Sequence, residues 1–237
     1  MGHMGKQGGN GKQRGNGKQG GMNQGIIWDL DGVIVDSAPF HFEAWRKFTA
    51  ARGRVFTHED FRRTFGMKNE DILVCIFGEQ LERGLLETWS DEKEEGFRQL
   101  IQGKVKPFPG VLTLVSNFDA AGYKQAVASS TSLKNIYLIL NALTITAFFS
   151  AIISGEEVTR GKPDPEAFLK AAKRMFLAPD KCLVIEDAAA GIEAAKRAGM
   201  KAIGVTNTLP GDVLASADLV VKSLEDVDIK AITQLLI

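Results

Sequence analysis

The chain has 237 residues, enough for one large domain or two modest ones, and its hydrophobic fraction of 44% is ordinary for a globular protein. It contains no apolar run of membrane-spanning length, and 29 basic residues balance 29 acidic ones. Four of the basic residues lie within residues 1–24, which hold no acid, so the rest of the chain is mildly acidic. These totals argue against a membrane protein and against a nucleic acid as the main partner.

The first 22 residues are rich in Gly, Lys, Gln and Asn, and they repeat Gly-Lys-Gln at residues 5, 11 and 17. They have almost no apolar side chains to repay the conformational entropy that folding costs. They also lack the apolar centre of a secretory signal. We interpret residues 1–22 as a tag or a disordered tail. A basic tail that touches an anionic surface is the alternative.

The first predicted strand, Gly25–Trp28, leads directly into Asp29 and Asp31, and a glycine follows the second aspartate. Asp-Gly between two apolar runs is a common hairpin signal, so residues 33–35 could form a returning strand. The alternative places both carboxylates at the end of a buried strand, where each raises the cost of ionising the other. That arrangement requires a compensating positive charge nearby.

Residues 39–106, which we call the helical insert, contain no convincing strand. Two apolar stripes at helical spacing support helices here, namely Phe42, Trp45 and Phe48, followed by Ile72, Leu73 and Ile76. Pro107 and Pro109 mark the end of the helical insert, because proline stops helices and stiffens linkers. The two connections, near residues 37–39 and 104–109, would form a natural hinge.

Short apolar runs after the helical insert alternate with helical patterns. The further predicted strands are Gln125–Ala128, Ala151–Ile153, Cys182–Ile185, Ala202–Val205 and Leu219–Val221. The predicted helices between them are Thr113–Ala121, Leu133–Leu143, Pro165–Phe176 and Ala189–Ala198. This alternation predicts an α/β fold with a Rossmann-like, doubly wound parallel sheet that helices cover on both faces. Residues 23–38 and 107–237 would form this core domain.

Polar side chains follow three of these strands. Ser129 and Ser130 come just before a predicted helix, where hydroxyls and free N–H groups favour phosphate, although an ordinary N-cap explains them as well. Lys162 lies in a proline-rich turn and could neutralise a phosphate or a carboxylate, or be a solvated loop lysine. Glu186 and Asp187 could ligate a hard cation such as Mg²⁺, or cap the next helix.

The helical insert weakens the hairpin interpretation, since helices rather than a returning strand would follow the first strand. In open α/β sheets, ligands bind at the carboxyl ends of the strands. The side chains named above would therefore meet at one edge of the sheet. A metal ion and a lysine at that edge would offset the repulsion between Asp29 and Asp31.

This set of residues resembles the four motifs of the haloacid dehalogenase superfamily, with agreeing order and spacing over residues 25–225. The motifs are Asp29-Leu30-Asp31-Gly32, then Ser129, then Lys162, then Glu186-Asp187. The helical insert is similar to the helical cap of the superfamily's first cap class. The resemblance implies that Asp29 is a nucleophile that forms an aspartyl phosphate, and that Asp31 is the general acid–base.

The resemblance also implies how phosphate and metal would be held. Ser129 and Lys162 would bind the transferring phosphoryl group. Asp187, with Glu186, would bind Mg²⁺ together with Asp29 and the main-chain carbonyl of residue 31. The second aspartate of the first motif points to phosphoryl transfer, because the dehalogenases themselves lack it and need no metal.

The segment around His41 looks like the beta-phosphoglucomutase branch, in which a histidine at this position contacts the general acid–base. A hinge histidine packed under the helical insert is the alternative. The mutases carry an arginine that grips a second phosphate where this sequence has Asn69. Lys68 could partly substitute for it. Lys93 aligns with a lysine common in this branch and could reach the substrate, or be an exposed helix lysine paired with acids.

The sequence therefore predicts an enzyme, a Mg²⁺-dependent phosphatase of a small phosphorylated metabolite, with a sugar phosphate as the expected substrate. The first alternative is a beta-phosphoglucomutase that interconverts glucose 1-phosphate and glucose 6-phosphate. A non-catalytic binding module is a further hypothesis, against which the intact motif residues argue.

The two cysteines, Cys75 and Cys182, each have apolar neighbours, which predicts buried reduced thiols and a cytoplasmic protein. A disulfide between them stays open at this point. We expect a monomer or a weak oligomer.

Overall fold

A computed structural model describes residues 23–64 and 66–236, and within them one parallel sheet forms the centre of the fold. Its strands are β1 (Gly25–Trp28), β2 (Lys124–Ala128), β3 (Ala151–Ile153), β4 (Cys182–Glu186), β5 (Lys201–Val205) and β6 (Leu219–Val221). The spatial order is β3-β2-β1-β4-β5-β6, and all neighbouring strands run parallel. This doubly wound order confirms the predicted fold class. Residues 1–22, which we interpret as a tag or a disordered tail, lie outside the described residues, and so does Phe65.

Helices flank the sheet and fill the segment between β1 and β2. They are α1 (Ala38–Ala50), α2 (His58–Thr64), α3 (Asn69–Phe77), α4 (Arg83–Ile101), α5 (Val111–Ala120), α6 (Leu133–Ala142), α7 (Glu166–Arg174), α8 (Ala189–Arg197) and α9 (Ile229–Leu235). Short 3₁₀ turns occupy Thr146–Phe148, Gly155–Glu157, Pro179–Lys181 and Leu224–Asp226. Each strand and helix predicted outside the helical insert is present, with ends that differ by at most two residues.

The central strand β1 contributes to two apolar cores, because successive side chains of a strand point to opposite faces of the sheet. Ile26 and Trp28 belong to one core together with Phe118 of α5. Ile27 belongs to the other core, which includes Phe168 of α7. All four residues of β1 are buried, as expected for a parallel strand with helices on both sides. The two cores therefore hold the end of β1, and the residue that follows it, in a fixed place.

Helices α1 to α4 occupy the helical insert and share an apolar cluster of their own. Its buried members are Trp45, Phe48, Phe56, Ile72 and Leu73. Phe97 and Ile101, near the end of α4, belong instead to the core beneath the sheet. The bounds of residues 39–106 as a separate unit stay a prediction, and α1 itself begins at Ala38.

The hairpin alternative for residues 33–35 is wrong. The main-chain N–H groups of Ile34 and Val35 both donate to the carbonyl of Leu30, so the chain turns tightly after β1. Val35 then forms an isolated antiparallel bridge with Pro107, and the N–H of Phe108 donates to the Ile34 carbonyl at 3.0 Å. The two connections of the helical insert are therefore tied to each other beside the end of β1.

The two cysteines differ in exposure. Cys182 is buried at the start of β4, but Cys75 is exposed on α3, and both are free thiols. The expectation of two buried thiols is thus wrong for Cys75, because α3 turns Ile72 and Leu73 inward and leaves residue 75 on its outer face. Among the described helices, none is both long and apolar enough to cross a membrane.

Candidate active site

The carboxyl ends of β1 and β4 bring together four of the predicted site residues. Asp29 follows β1 directly, and its N–H donates to the Ile185 carbonyl of β4 at 3.0 Å. Lys162 Nζ lies 2.5 Å from Asp29 Oδ1 and 2.5 Å from Glu186 Oε1. Asp29, Glu186 and Asp187 are all buried, and each offers a carboxylate oxygen within 4.8 Å of the others. The edge of the sheet therefore holds three carboxylates around one ammonium group.

The charge balance of this cluster is unfavourable without a further cation. Burial raises the pKa of Asp29 to about 7, although Lys162 opposes the shift. Burial and the charges of Glu186 and Asp29 raise the pKa of Asp187 well above its ordinary value. Burial disfavours the Lys162 ammonium, but Asp29 and Glu186 raise the pKa of Lys162 above its usual value. One lysine does not offset three buried carboxylates, and a divalent cation bound by their oxygens fits the donor set.

Two glycines permit this close packing of acidic groups. Gly32 has a φ of +84°, and a Cβ there would lie 1.9 Å from Asp187 Oδ2. A Cβ on Gly191 would lie 1.8 Å from Glu186 Oε1. The Asp187 carboxylate is further fixed by a hydrogen bond that Thr208 Oγ1 donates to its Oδ2. Any larger residue at either glycine would displace a carboxylate of the cluster.

Asp31 lies in a different environment from Asp29. Ser37 Oγ donates to Asp31 Oδ1 at 2.5 Å, and His41 Nε2 lies 3.5 Å from the same oxygen. Ser129 Oγ donates to Asp31 Oδ2 at 3.3 Å. Burial alone would raise the pKa of Asp31, but the hydrogen bonds from His41 and Ser37 hold it below its ordinary value. Two neighbouring carboxylates with opposite pKa shifts are typical of acid–base sites that divide roles between them.

His41 connects Asp31 to the helical insert. Its Nδ1 lies 2.8 Å from Lys93 Nζ, and its ring stacks on Phe97 with ring centroids 3.8 Å apart. Lys93 is only 2% exposed, so it is not the solvent-exposed helix lysine of the alternative interpretation. Its ammonium donates to Glu94 Oε1 at 2.8 Å. A continuous chain of polar contacts therefore runs from Asp31 to α4.

The remaining candidates of the helical insert bind protein groups. Lys68 Nζ donates to the Val158 carbonyl at 2.5 Å, which ties the start of α3 to the core domain. Asn69 Nδ2 donates to Glu94 Oε1 at 2.8 Å. Ser130 lines the cavity between the helical insert and the strand ends. Asn69 thus lines the cavity, whereas Lys68 is tied to the core domain outside the cavity lining, and each already has a partner.

Several polar residues of the site were not predicted. Glu94 is buried and lines the cavity, and its Oε2 accepts a hydrogen bond from Asn135 Nδ2. Glu94 lies three residues before Phe97 on α4, so helical spacing already indicated that it faces inward. Thr208 follows β5, and the rule that polar residues at strand ends share one edge would have included it. No comparable signal in the sequence pointed to Asn135.

Comparison with known proteins places this geometry in a family. The family model described as haloacid dehalogenase-like hydrolase matches residues 26–205. The phosphorylated carbohydrates phosphatase of Thermotoga maritima is 32% identical over 188 residues, covering 78% of this chain and 87% of the relative. The beta-phosphoglucomutase of Bacillus subtilis is 35% identical over 213 residues, covering 86% and 92%. Similarity therefore extends through the core domain and the helical insert.

A solved structure agrees with these matches. The crystal structure of beta-phosphoglucomutase from Clostridium difficile has a TM-score of 0.82 and 29% identity, covering 91% of this chain and 97% of that one. The resemblance inferred from the motifs, including the beta-phosphoglucomutase-like branch, is confirmed, as is the prediction of an enzyme. The chain belongs to the haloacid dehalogenase-like hydrolase family.

Proposed function

We propose that this protein is a Mg²⁺-dependent phosphatase of a small phosphorylated metabolite, with a sugar phosphate as its substrate class. The pairing of two aspartates in contrasting environments carries the proposal. Asp29 lies against Lys162 within a buried acidic cluster, whereas Asp31 is held by Ser37 and His41. A phosphatase and a mutase of phosphorylated sugars among the relatives support the same chemistry.

In the first half of the proposed reaction, a carboxylate oxygen of Asp29 attacks the phosphorus atom. A new P–O bond to Asp29 forms while the ester P–O bond breaks, and the leaving oxygen takes a proton from Asp31. In the substrate-free protein the lowered pKa of Asp31 favours its ionised form. The negative charge of an arriving phosphate raises the pKa of a neighbouring acid, which favours the protonated form that this step needs.

In the second half, Asp31 acts as a base. It takes a proton from a water molecule that attacks the phosphorus atom, and the bond between phosphorus and Asp29 breaks. Inorganic phosphate leaves and the Asp29 carboxylate is regenerated. The side chain of Asp31 is 17% exposed, compared with 9% for Asp29. The greater exposure of Asp31 suits its proposed exchange of protons with water.

The groups that would hold phosphate and metal surround these two aspartates. Lys162 and the hydroxyls of Ser129 and Ser130 would bind the phosphoryl oxygens. Asp29, Glu186 and Asp187, with the main-chain carbonyl of residue 31, would hold Mg²⁺. When bound, the ion neutralises part of the phosphate charge. The raised pKa values of Asp29 and Asp187 support a cation there, because they reflect uncompensated negative charge.

A beta-phosphoglucomutase is the second candidate, supported by the Bacillus subtilis relative and by the contact between His41 and Asp31. A mutase must also hold the second phosphate of a bisphosphate. Asn69 stands where the mutases carry the arginine that grips this phosphate, and it binds Glu94, while Lys68, the partial substitute, binds the Val158 carbonyl. This observation favours the phosphatase.

A product assay tests the choice between the two activities. The enzyme is mixed with Mg²⁺, beta-glucose 1-phosphate and a trace of the 1,6-bisphosphate, beside a panel of other sugar phosphates. Free phosphate and glucose 6-phosphate are measured in the same tube. We expect free phosphate from at least one panel member, without isomerisation. Glucose 6-phosphate formed faster than free phosphate would establish a mutase instead.

A further inference from the structure

Glu94 is a buried carboxylate on the wall of the substrate cavity, and the proposed reaction gives it no role. It is 4% exposed and lines the cavity together with Asp29, Asp31 and Lys162. Its charge also raises the pKa of Asp31, although this effect is smaller than those of burial, His41 and Ser37. An acidic group this close to a site for an anionic substrate requires an explanation.

Hydrogen bonds from both the helical insert and the core domain fix this carboxylate in place. Oε1 accepts from Lys93 Nζ and Asn69 Nδ2, each at 2.8 Å, and Oε2 accepts from Asn135 Nδ2 on α6. Asn135 is held in turn, because Arg98 Nη1 donates to its Oδ1 at 3.0 Å. Both carboxylate oxygens are therefore constrained, and Glu94 cannot swing away from a ligand without breaking several bonds.

Glu94 is also ionised at neutral pH. Burial opposes its charged form, but the charge of Lys93 and the hydrogen bonds from Lys93 and Asn69 hold the pKa of Glu94 at about 2. The side chain thus presents a permanent negative charge to the cavity.

The cavity wall offers little to balance a second anionic group on a substrate. In the described part of the chain, five carboxyl groups line the cavity, from Asp29, Asp31, Glu94, Glu186 and Asp187, together with the two lysines Lys93 and Lys162 and with His41. Lys162 pairs with Asp29 and Glu186, and Lys93 pairs with Glu94. The helical insert also contributes the polar residues His41, Thr64 and Asn69 and several apolar side chains, among them Trp45, Met67 and Ile72. A second phosphate or a carboxylate would meet like charge and apolar surface.

We propose that Glu94 is a specificity-determining residue that excludes substrates whose leaving group carries a negative charge, so that the site takes phosphate monoesters of uncharged alcohols. The inference rests on the proposed phosphatase function. Like charges placed together in a desolvated site repel each other strongly, and discrimination between substrates is often achieved by such a repulsive element.

Pairs of substrates test this proposal, since one member of each pair carries one more anionic group than the other. We would measure kcat/KM with Mg²⁺ for glucose 6-phosphate against 6-phosphogluconate, and for fructose 1-phosphate against fructose 1,6-bisphosphate. We expect the charged member of each pair to be slower by about tenfold or more. Glu94→Gln keeps the size of the side chain and one acceptor oxygen but removes the charge. It should reduce the ratio of kcat/KM for the less charged member to kcat/KM for the charged member by at least about threefold.

Glu95→Gln is the matched control, because it removes the same charge one residue further along α4, on an exposed side chain paired with Arg98. It should leave the ratio unchanged. If Glu94→Gln does not fold, Asn69→Lys adds a positive charge beside Glu94 and should narrow the ratio in the same direction.

The possible failures are distinguishable. Equal kcat/KM values within the wild-type pairs, or a Glu94→Gln variant that keeps the wild-type ratio between the members of each pair, would overturn the role of Glu94 and leave the phosphatase intact. No phosphate release from either pair, or from any other sugar phosphate, would overturn the proposed function and this inference with it.

Discussion

Replacing Asp29 with asparagine should reduce the turnover of phosphate esters by at least about a thousandfold. The amide has the shape of the carboxylate but no nucleophilic oxygen, so the first bond to phosphorus cannot form. Lys162 keeps its contact with Glu186, which leaves the rest of the cluster in place. The measurement is the rate of phosphate release by the purified variant, with the wild-type protein at the same Mg²⁺ concentration.

The fold of Asp29→Asn should be intact, because the raised pKa of Asp29 indicates that the buried side chain favours a neutral form. Its melting temperature without metal should therefore be no lower than that of the wild type. Asp36→Asn is the matched control, since Asp36 is an exposed aspartate in the same connection, and it should leave turnover unchanged. Residual activity of Asp29→Asn above about one per cent would remove Asp29 from the nucleophile role.

Removal of Mg²⁺ by EDTA should stop turnover, and added Mg²⁺ should restore it. The melting temperature is a second readout that does not depend on activity, because an ion that binds only the native state raises it. Asp187→Asn should lose both responses, since it removes one of the three clustered carboxylates. Turnover that continues in EDTA would contradict the assignment of the acidic cluster to a metal.

The thermal effect of Mg²⁺ should depend on pH with a defined sign. The pKa of Asp29 is raised from 3.8 to about 7 in the metal-free native state. A raised pKa contributes stability that is present at low pH and is lost as the pH rises through about 7. The raised pKa of Asp187 acts in the same direction. The metal-free protein should therefore lose stability from these groups between pH 5 and pH 8.

Mg²⁺ binds the deprotonated carboxylates, so the increase in melting temperature on adding Mg²⁺ should be larger at pH 8 than at pH 5. Thermal unfolding at both pH values, with and without millimolar Mg²⁺, measures the difference. An increase of equal size at both values would mean that Asp29 and Asp187 are not the groups that couple metal binding to protonation.

The sequence was sufficient to predict the sheet and the residues at its edge. The strands are short apolar runs bounded by polar loops, so their limits follow from composition alone. The carboxyl ends of parallel strands share an edge, and this rule predicts from the sequence that Asp29, Lys162 and Glu186 lie close together, as they do in the structure. The tight turn after Leu30 was harder to predict, because Asp-Gly is equally compatible with a hairpin.

The network around Glu94 could not be predicted in the same way. Its partners Asn69 and Asn135 lie 25 and 41 residues away in the sequence. Asn69 meets Glu94 because α3 packs against α4 within the helical insert, and Asn135 meets it because α4 packs against α6. Helical spacing indicates that a residue faces inward, but not which polar group it meets there. The exposed position of Cys75 has a similar origin, since apolar neighbours in sequence do not fix the face of a helix.

The proposed phosphatase function depends most directly on the transfer of a phosphoryl group to Asp29. The enzyme should be mixed with Mg²⁺ and the fastest substrate of the sugar phosphate panel, quenched in acid within the first turnovers, digested and analysed by mass spectrometry. We expect a phosphoryl group on the peptide that contains Asp29, and none on that peptide in Asp29→Asn. A phosphoryl group on a different residue, or an unmodified Asp29 peptide throughout active phosphate release, would contradict the proposed mechanism.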